Sequence, residues 1–365
     1  MKSLGIYFHV PFCAKKCPYC DFYSGSFTRS AAEGYTAAAI RNIMHYSQPG
    51  RLVDTVYFGG GTPSLLDAGQ LSDIIGAVRS HFTLSSHAEI TLEANPSTLT
   101  EKKLEELRNT GINRLSVGVQ SMINDELSFL GRSHTPERAA KAVCDARSAG
   151  FENISCDLMI ALPGQTAGSL HTSVNALAEL PIDHISAYIL KIEEGTPFAE
   201  REVQDILPDE DDTSDLYLEA VRLLEDKGFM QYEVSNFAVP GFESRHNCRY
   251  WLCEDYLGIG PAAHSCFAGK RFFVPPDTAA FLSSEQQSEM VTDESPCGFE
   301  EKAMLRLRLV KGLDLRDVPE HRSDIEKKIP ELLSSGYVRF DGNVLSLTPK
   351  GFLVSNAIIG RLIFN

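Results

Sequence analysis

Six apolar runs rich in β-branched and aromatic residues recur through the first half of the chain: LGIYFH (4–9), DTVYFG (54–59), AEITLEA (88–94), INRLSVGV (112–119), NISCDLMI (153–160) and HISAYIL (184–190). The segments between them, such as LSDIIGAVRSHF, LTEKKLEELRNTG and ERAAKAVCDARSAG, have helical period, and the last two close on a glycine of the kind that ends helices. Repeated βα units of this sort predict a parallel sheet with right-handed crossovers. A doubly wound sheet and a partial barrel both satisfy that pattern, and the polar residues decide between them. Cys13 follows the first run, GGGTP (59–63) ends the second, Glu93 the third and Gln120 the fourth; Asp157 lies in the fifth and Tyr188 near the end of the sixth. All six converge on one rim, as chemistry does at the C-terminal ends of barrel strands, so the α/β fold predicted is a partial (β/α)6 TIM-like barrel. Any one of these residues alone could cap a helix or satisfy loop backbone; the set points to a site.

With 365 residues, 43% of them hydrophobic, the chain has room for more than the barrel. The organisation predicted is a barrel core over 1–200, an extension over 201–290 and a C-terminal domain over 291–365. In the extension, LPDEDDTSDLYLEAVRLLEDKGF reads as an amphipathic helix ended by Gly228, and SSEQQSEMVTDESP (283–296) as a polar linker. Beyond it come two helical segments, two strands around Asp-Gly-Asn, and one last helix capped by Thr348, a winged-helix-like α+β pattern. That pattern tempts a DNA-binding reading, but the segment 297–365 carries 11 Lys and Arg against 9 Asp and Glu, and the whole chain is at −15. Nucleic-acid binding is excluded on that charge, and a lid or docking role is favoured. No run approaches the roughly 20 apolar residues of a membrane span, and the opening MKSLGIYFHV is too short for a signal peptide, so a cytoplasmic location is expected.

The nine cysteines are unevenly spaced and odd in number, which points to metal binding or burial rather than a disulfide framework. Three of them fall in HVPFCAKKCPYCDF (9–22), at Cys13, Cys17 and Cys20. Structural zinc takes four ligands, with His9 or Asp21 available as the fourth. A cuboidal [4Fe-4S] cluster takes one thiolate per iron, so three cysteines leave one iron open. CxxxCxxC after a first barrel strand is similar to the signature of the radical S-adenosylmethionine superfamily, and that resemblance implies that the open iron is chelated by S-adenosylmethionine.

YFHVPFCAKKCPYCDF, FGGGTPSLL, EITLEANP, RLSVGVQS, LGRSH, DLMIALPGQT, QYEVSNFA, RHNCRYW and DYLGIGPAAHS together resemble the oxygen-independent coproporphyrinogen III oxidase group of that superfamily, over nearly the whole chain. The resemblance implies that Tyr7, Tyr19, Gly60, Gly61, Thr62, Glu93, Gln120, Arg132 and Asp157 contact S-adenosylmethionine. Within the group, true oxidases carry a further cysteine where this chain has Phe22. His246-Asn247-Cys248-Arg249-Tyr250-Trp251 instead resembles the HNxxYW element of the HemW-type heme chaperones. The function implied is heme binding and delivery to acceptor proteins, with His246, Asn247, Tyr250 and Trp251 as heme contacts; the alternative is coproporphyrinogen III oxidation. Arg245, Arg249, Lys270 and Arg271 could neutralise propionates, and a homodimer is possible on this reading. The competing reading of the same element is two core aromatics and a hydrogen-bonded histidine. Cys248, Cys253 and Cys266 with His264 are a second candidate metal group, for which burial of single thiols is the simpler account.

Overall fold

The computed structural model describes residues 3–363. Strands β1 (Leu4–Val10), β2 (Leu52–Gly60), β3 (Thr83–Ala94), β4 (Arg114–Gln120), β5 (Asn153–Ile160) and β6 (His184–Ile189) lie side by side in chain order. Every neighbouring pair is parallel. The helices that return the chain between them are α1 (Arg29–His45), α2 (Ala68–His81), α3 (Glu101–Asn109), α4 (Pro136–Ser148) and α5 (Ala167–Ala178). Each opens on a polar side chain, Thr28, Asp67, Thr100, Thr135 or Thr166, that accepts a hydrogen bond from the backbone N–H three residues on. Such a cap is worth about 1 kcal/mol and sets where the helix starts. In α2, Leu71, Ile74, Ile75 and Val78 repeat at helical spacing and are buried against the sheet. β1 is buried along nearly its whole length, as expected of a strand covered on both faces.

The sheet continues past both ends of the six-strand core. After α6 (Glu210–Asp226), capped by Asp209 and followed by Gly228 at φ +88°, β7 (Met230–Gln231) and β8 (Asn236–Ala238) add to β6 in antiparallel fashion. A short helix α7 (Arg245–Trp251) follows, and then β9 (Tyr256–Ile259) pairs parallel to β1. β10 (His264–Phe267), β11 (Lys270–Phe273) and β12 (Met290–Asp293) extend that edge antiparallel. The result is one open twelve-stranded sheet, β12-β11-β10-β9-β1-β2-β3-β4-β5-β6-β8-β7, with the predicted partial barrel at its centre.

The C-terminal segment comprises α8 (Phe299–Arg306), β13 (Leu313–Asp314), α9 (Pro319–Ser334), β14 (Val338–Phe340), β15 (Val344–Leu347), α10 (Pro349–Leu353) and α11 (Ser355–Ile363), with a three-stranded antiparallel sheet ordered β13-β15-β14. Backbone bonds from Val234 to Arg308 and from Val310 to Tyr232 tie it to the β7 side of the large sheet, while Glu301 pairs with Arg271 on the β11 side. Two sequence expectations differ from this. The polar linker contains β12, whose four residues are all exposed; a strand on a solvated sheet edge carries no apolar alternation to announce it. The last helix, which Thr348 does cap, is two helices meeting at Val354.

Candidate active site

The C-terminal ends of the barrel strands surround a cleft of about 360 Å³. Cys13, Cys17, Tyr19, Cys20, Gly60, Gly61, Thr62, Glu93, Gln120, Arg132, Asp157 and Tyr188 all line it, so the rim read from strand ends is assembled in space. The glycine run forms one wall because it lies directly on the cysteine segment. Gly61 N–H donates to Val10 O (2.9 Å) and Thr62 N–H to Phe12 O (2.7 Å). A Cβ on Gly61 would stand 2.5 Å from Phe12 O, and Gly60 sits at φ +106° with the His9 imidazole where its Cβ would be. These two positions require glycine for close backbone approach.

Glu93 accepts from the Tyr57 hydroxyl (2.8 Å) and from Gly60 N–H (3.2 Å), and burial pushes its pKa up to about 7. Burial likewise raises Asp157 to about 6, opposed by the Arg132 charge and by a bond from Ser116 Oγ (3.4 Å). Arg132 bridges the rim and the cysteine loop, donating to Gly118 O (2.5 Å) and to Cys17 Sγ (3.5 Å), while Thr62 Oγ1 donates to Cys13 Sγ (3.5 Å). Two guanidinium nitrogens at this cleft, Arg132 Nε and Arg114 Nε, are buried with no partner. Acceptors, unpaired donors and bare glycine backbone around one cavity suit a zwitterionic ligand such as the methionyl end of S-adenosylmethionine.

The cysteines themselves fit a cluster better than a single metal. All three are free thiols. Among the described residues one group alone brings three metal-ligating atoms within 4.8 Å of one another, and it lies elsewhere. His9 is closed to a metal: Nδ1 is bonded to Tyr7 Oη (3.1 Å) and Nε2 to Tyr23 O (2.9 Å), and Asp21 is exposed. Three spread thiols without a fourth ligand match one thiolate per iron of a cuboidal cluster.

Tyr7 is the one predicted cofactor contact that the cleft lining leaves out; it stands behind the wall, bonded to His9 and beside Tyr57. Residues that sequence reasoning missed take part instead: Arg114, Ser116 and Gly118 precede Gln120 at two-residue spacing on β4, and all four face the cleft. That polar alternation inside RLSVGVQ was the available signal.

The HNCRYW element is not laid out as a heme pocket. Helix α7 plugs the opposite, N-terminal end of the barrel. Its first N–H groups, of Arg245 and His246, donate to the Glu89 carboxylate (3.0 and 2.9 Å). His246 is fully buried, with Nδ1 on Thr55 Oγ1 (2.8 Å) and Nε2 on Tyr250 Oη (2.9 Å), and burial drops its pKa to about 3. Both ring nitrogens are therefore used, and the expected axial ligand is a core histidine in this conformation. Tyr250 packs edge-on against His246 and Tyr256, Trp251 is half-buried, and only Asn247 reaches the cleft. The four suggested propionate partners are committed to acids: Arg249 to Asp54 and Glu254, Arg245 to Asp54, Lys270 to Glu294 and Arg271 to Glu301.

The radical SAM superfamily model matches residues 7–177, and the HemN C-terminal domain model residues 299–354. Over 100% of this chain and 98% of the relative, the sequence is 34% identical to a Lactococcus lactis protein named heme chaperone HemW. The chain belongs to the HemW family of radical SAM proteins. A second member, the heme chaperone HemW of Escherichia coli, is 33% identical with 98% of each chain covered. Among solved structures, the E. coli coproporphyrinogen III oxidase HemN, a radical SAM enzyme, superposes with a TM-score of 0.83 over 99% of this chain and 90% of that one. At 24% identity that match establishes a common fold. The two family models bracket the parts described above, the cleft-bearing barrel and the segment from α8 onward.

Proposed function

We propose that the chain binds heme and passes it to acceptor proteins, and that the cleft holds a [4Fe-4S] cluster on Cys13, Cys17 and Cys20 together with S-adenosylmethionine. The observation that carries this reading is the full-length likeness to proteins named as heme chaperones. It is supported at position 22, where an oxidase-type CxC would need a thiol and this chain has Phe22, a cleft residue 63% exposed. Phe22 and Tyr188 offer aromatic faces at the mouth, where a flat porphyrin can pack without competing for the buried plug.

Within the cleft, bound S-adenosylmethionine supplies a sulfonium open to one-electron reduction. The chain's own residues orient it. Glu93 and Asp157 would accept from its amino and hydroxyl groups, Arg132 and Arg114 would pair with its carboxylate, and Gly60 and Gly61 would leave room for it against the cysteine segment. The helix α7 holds the barrel closed from below. Anaerobic reconstitution, followed by heme titration and a coproporphyrinogen turnover assay on the same sample, tests the reading. Stoichiometric heme binding without decarboxylation supports it; multiple turnovers to protoporphyrinogen replace it with the oxidase reading.

A further inference from the structure

Away from the cleft, three thiols and a carboxylate meet where the barrel's extended edge touches the C-terminal segment. Cys253 lies in the turn after α7, Cys266 on β10, Cys297 just before α8, and Glu301 on α8. One ligand atom each from Cys253, Cys297 and Glu301 lie within 4.8 Å of one another; Cys266 stands at the edge of that trio, its Sγ 3.8 Å from Cys297 Sγ, as the candidate fourth donor. With Zn–S bonds of about 2.3 Å, the S–S edge of a tetrahedral zinc site is about 3.8 Å.

We propose that this group is a zinc site, independent of the iron-sulfur cluster, that fastens the C-terminal segment to the barrel. The donor set is soft thiolate with one carboxylate, which selects zinc over magnesium or calcium. Cys253 and Cys297 stand at φ +51° and +68°, a backbone region that non-glycine residues seldom occupy, and both thiols point into the group. Glu301 is held in place at both oxygens: Oε2 accepts from the backbone N–H of Cys297 (2.6 Å), and Arg271, which lies outside the ligand set and also donates to Tyr256 Oη (3.0 Å), donates to Oε1. Three thiolates and one carboxylate around a dication leave two negative charges, and Arg271 offsets one of them. Binding releases three thiol protons, with no change of oxidation state. Because the ligands come from the α7–β9 turn, β10 and the α8 approach, the metal joins the extended edge of the barrel to the C-terminal segment beside the Arg271–Glu301 pair.

The test is metal analysis of the full chain, grown with zinc in the medium and purified without oxygen so that the iron-sulfur cluster is retained. About one zinc per chain is expected, with sulfur scatterers at about 2.3 Å in its X-ray absorption spectrum. Cys297→Ser should lose at least tenfold in zinc content while iron content and S-adenosylmethionine binding stay at parental levels. Glu301→Gln, which leaves all three thiols in place, should give up its zinc to a chelator at least tenfold faster than the parent. A chain that carries no zinc, zinc retained equally in Cys297→Ser, or a disulfide between Cys297 and either Cys253 or Cys266 in the anaerobic preparation would overturn the proposal. None of these outcomes bears on heme binding, so this inference and the chaperone reading can fail separately.

Discussion

Replacing Glu93 by glutamine should strengthen the fold and weaken the site, and the size of the gain follows from the ionisation of one carboxyl. Burial raises the Glu93 pKa from 4.5 to about 7. At about 1.4 kcal/mol per unit, the ionised carboxylate costs the folded state about 3 kcal/mol. The sign follows from proton binding. Below the unfolded value both states are protonated and nothing is lost; between that value and about 7 the unfolded chain has released a proton that the folded chain keeps, so stability falls as pH rises. Above about 7 the whole deficit is present. An amide does not ionise, but its single carbonyl oxygen must serve both Tyr57 and Gly60, which costs about 1 kcal/mol. Glu93→Gln should therefore be about 1 kcal/mol less stable than the parent near pH 4.5 and about 2 kcal/mol more stable near pH 8.5. Urea unfolding of cluster-free protein at the two pH values measures this, with S-adenosylmethionine affinity of the reconstituted variant read alongside and expected to drop. A stability difference that does not change with pH would show that Glu93 is not the strained, ionised group described here.

Three further outcomes follow from the geometry. Gly61→Ala places a methyl group 2.5 Å from Phe12 O and should lower iron loading on reconstitution, whereas Gly76→Ala, in α2 with nothing within 4 Å, should leave iron content unchanged and add up to about 1 kcal/mol of stability. His246→Ala leaves Thr55 and Tyr250 without their buried partner and opens a cavity in the plug, costing about 3 kcal/mol in chemical denaturation; the heme Soret band per folded molecule should persist, and its loss would restore His246 as the ligand. Phe22→Ala should weaken heme affinity without changing iron content, and equal affinity in a heme titration would remove the cleft mouth from heme binding.

The barrel and its rim were legible because strand burial and strand-end chemistry leave marks at fixed spacing. Glu93, Gln120 and Asp157 each stand where an apolar run meets the rim, and the cleft gathers them. Ser116 and Arg114 carried the same mark two and three alternations before Gln120 along β4 and passed unnoticed inside an otherwise apolar run. The HNCRYW element was ambiguous in kind: a histidine beside a tyrosine and a tryptophan suits a core and also a porphyrin, and its bonds to Thr55 and Glu89, distant in sequence, leave no local mark. The cysteine group failed in sequence for a related reason. Cys253 and Cys266 were paired with Cys248 and His264 by proximity along the chain, while their spatial neighbour Cys297 sits past a polar stretch that hides the edge strand β12. Strand edges and long-range ligand sets leave no local period, so the fold has to be present before they can be seen.

The most direct test of the central claim is transfer. Heme-loaded protein, reconstituted with its iron-sulfur cluster and kept without oxygen, is mixed with an apo-hemoprotein, and heme is followed spectroscopically while a parallel sample receives coproporphyrinogen III, S-adenosylmethionine and reductant. The account predicts that heme leaves this chain for the acceptor and that no protoporphyrinogen forms. A chain that neither holds nor releases heme, yet decarboxylates coproporphyrinogen through repeated turnovers, would contradict it.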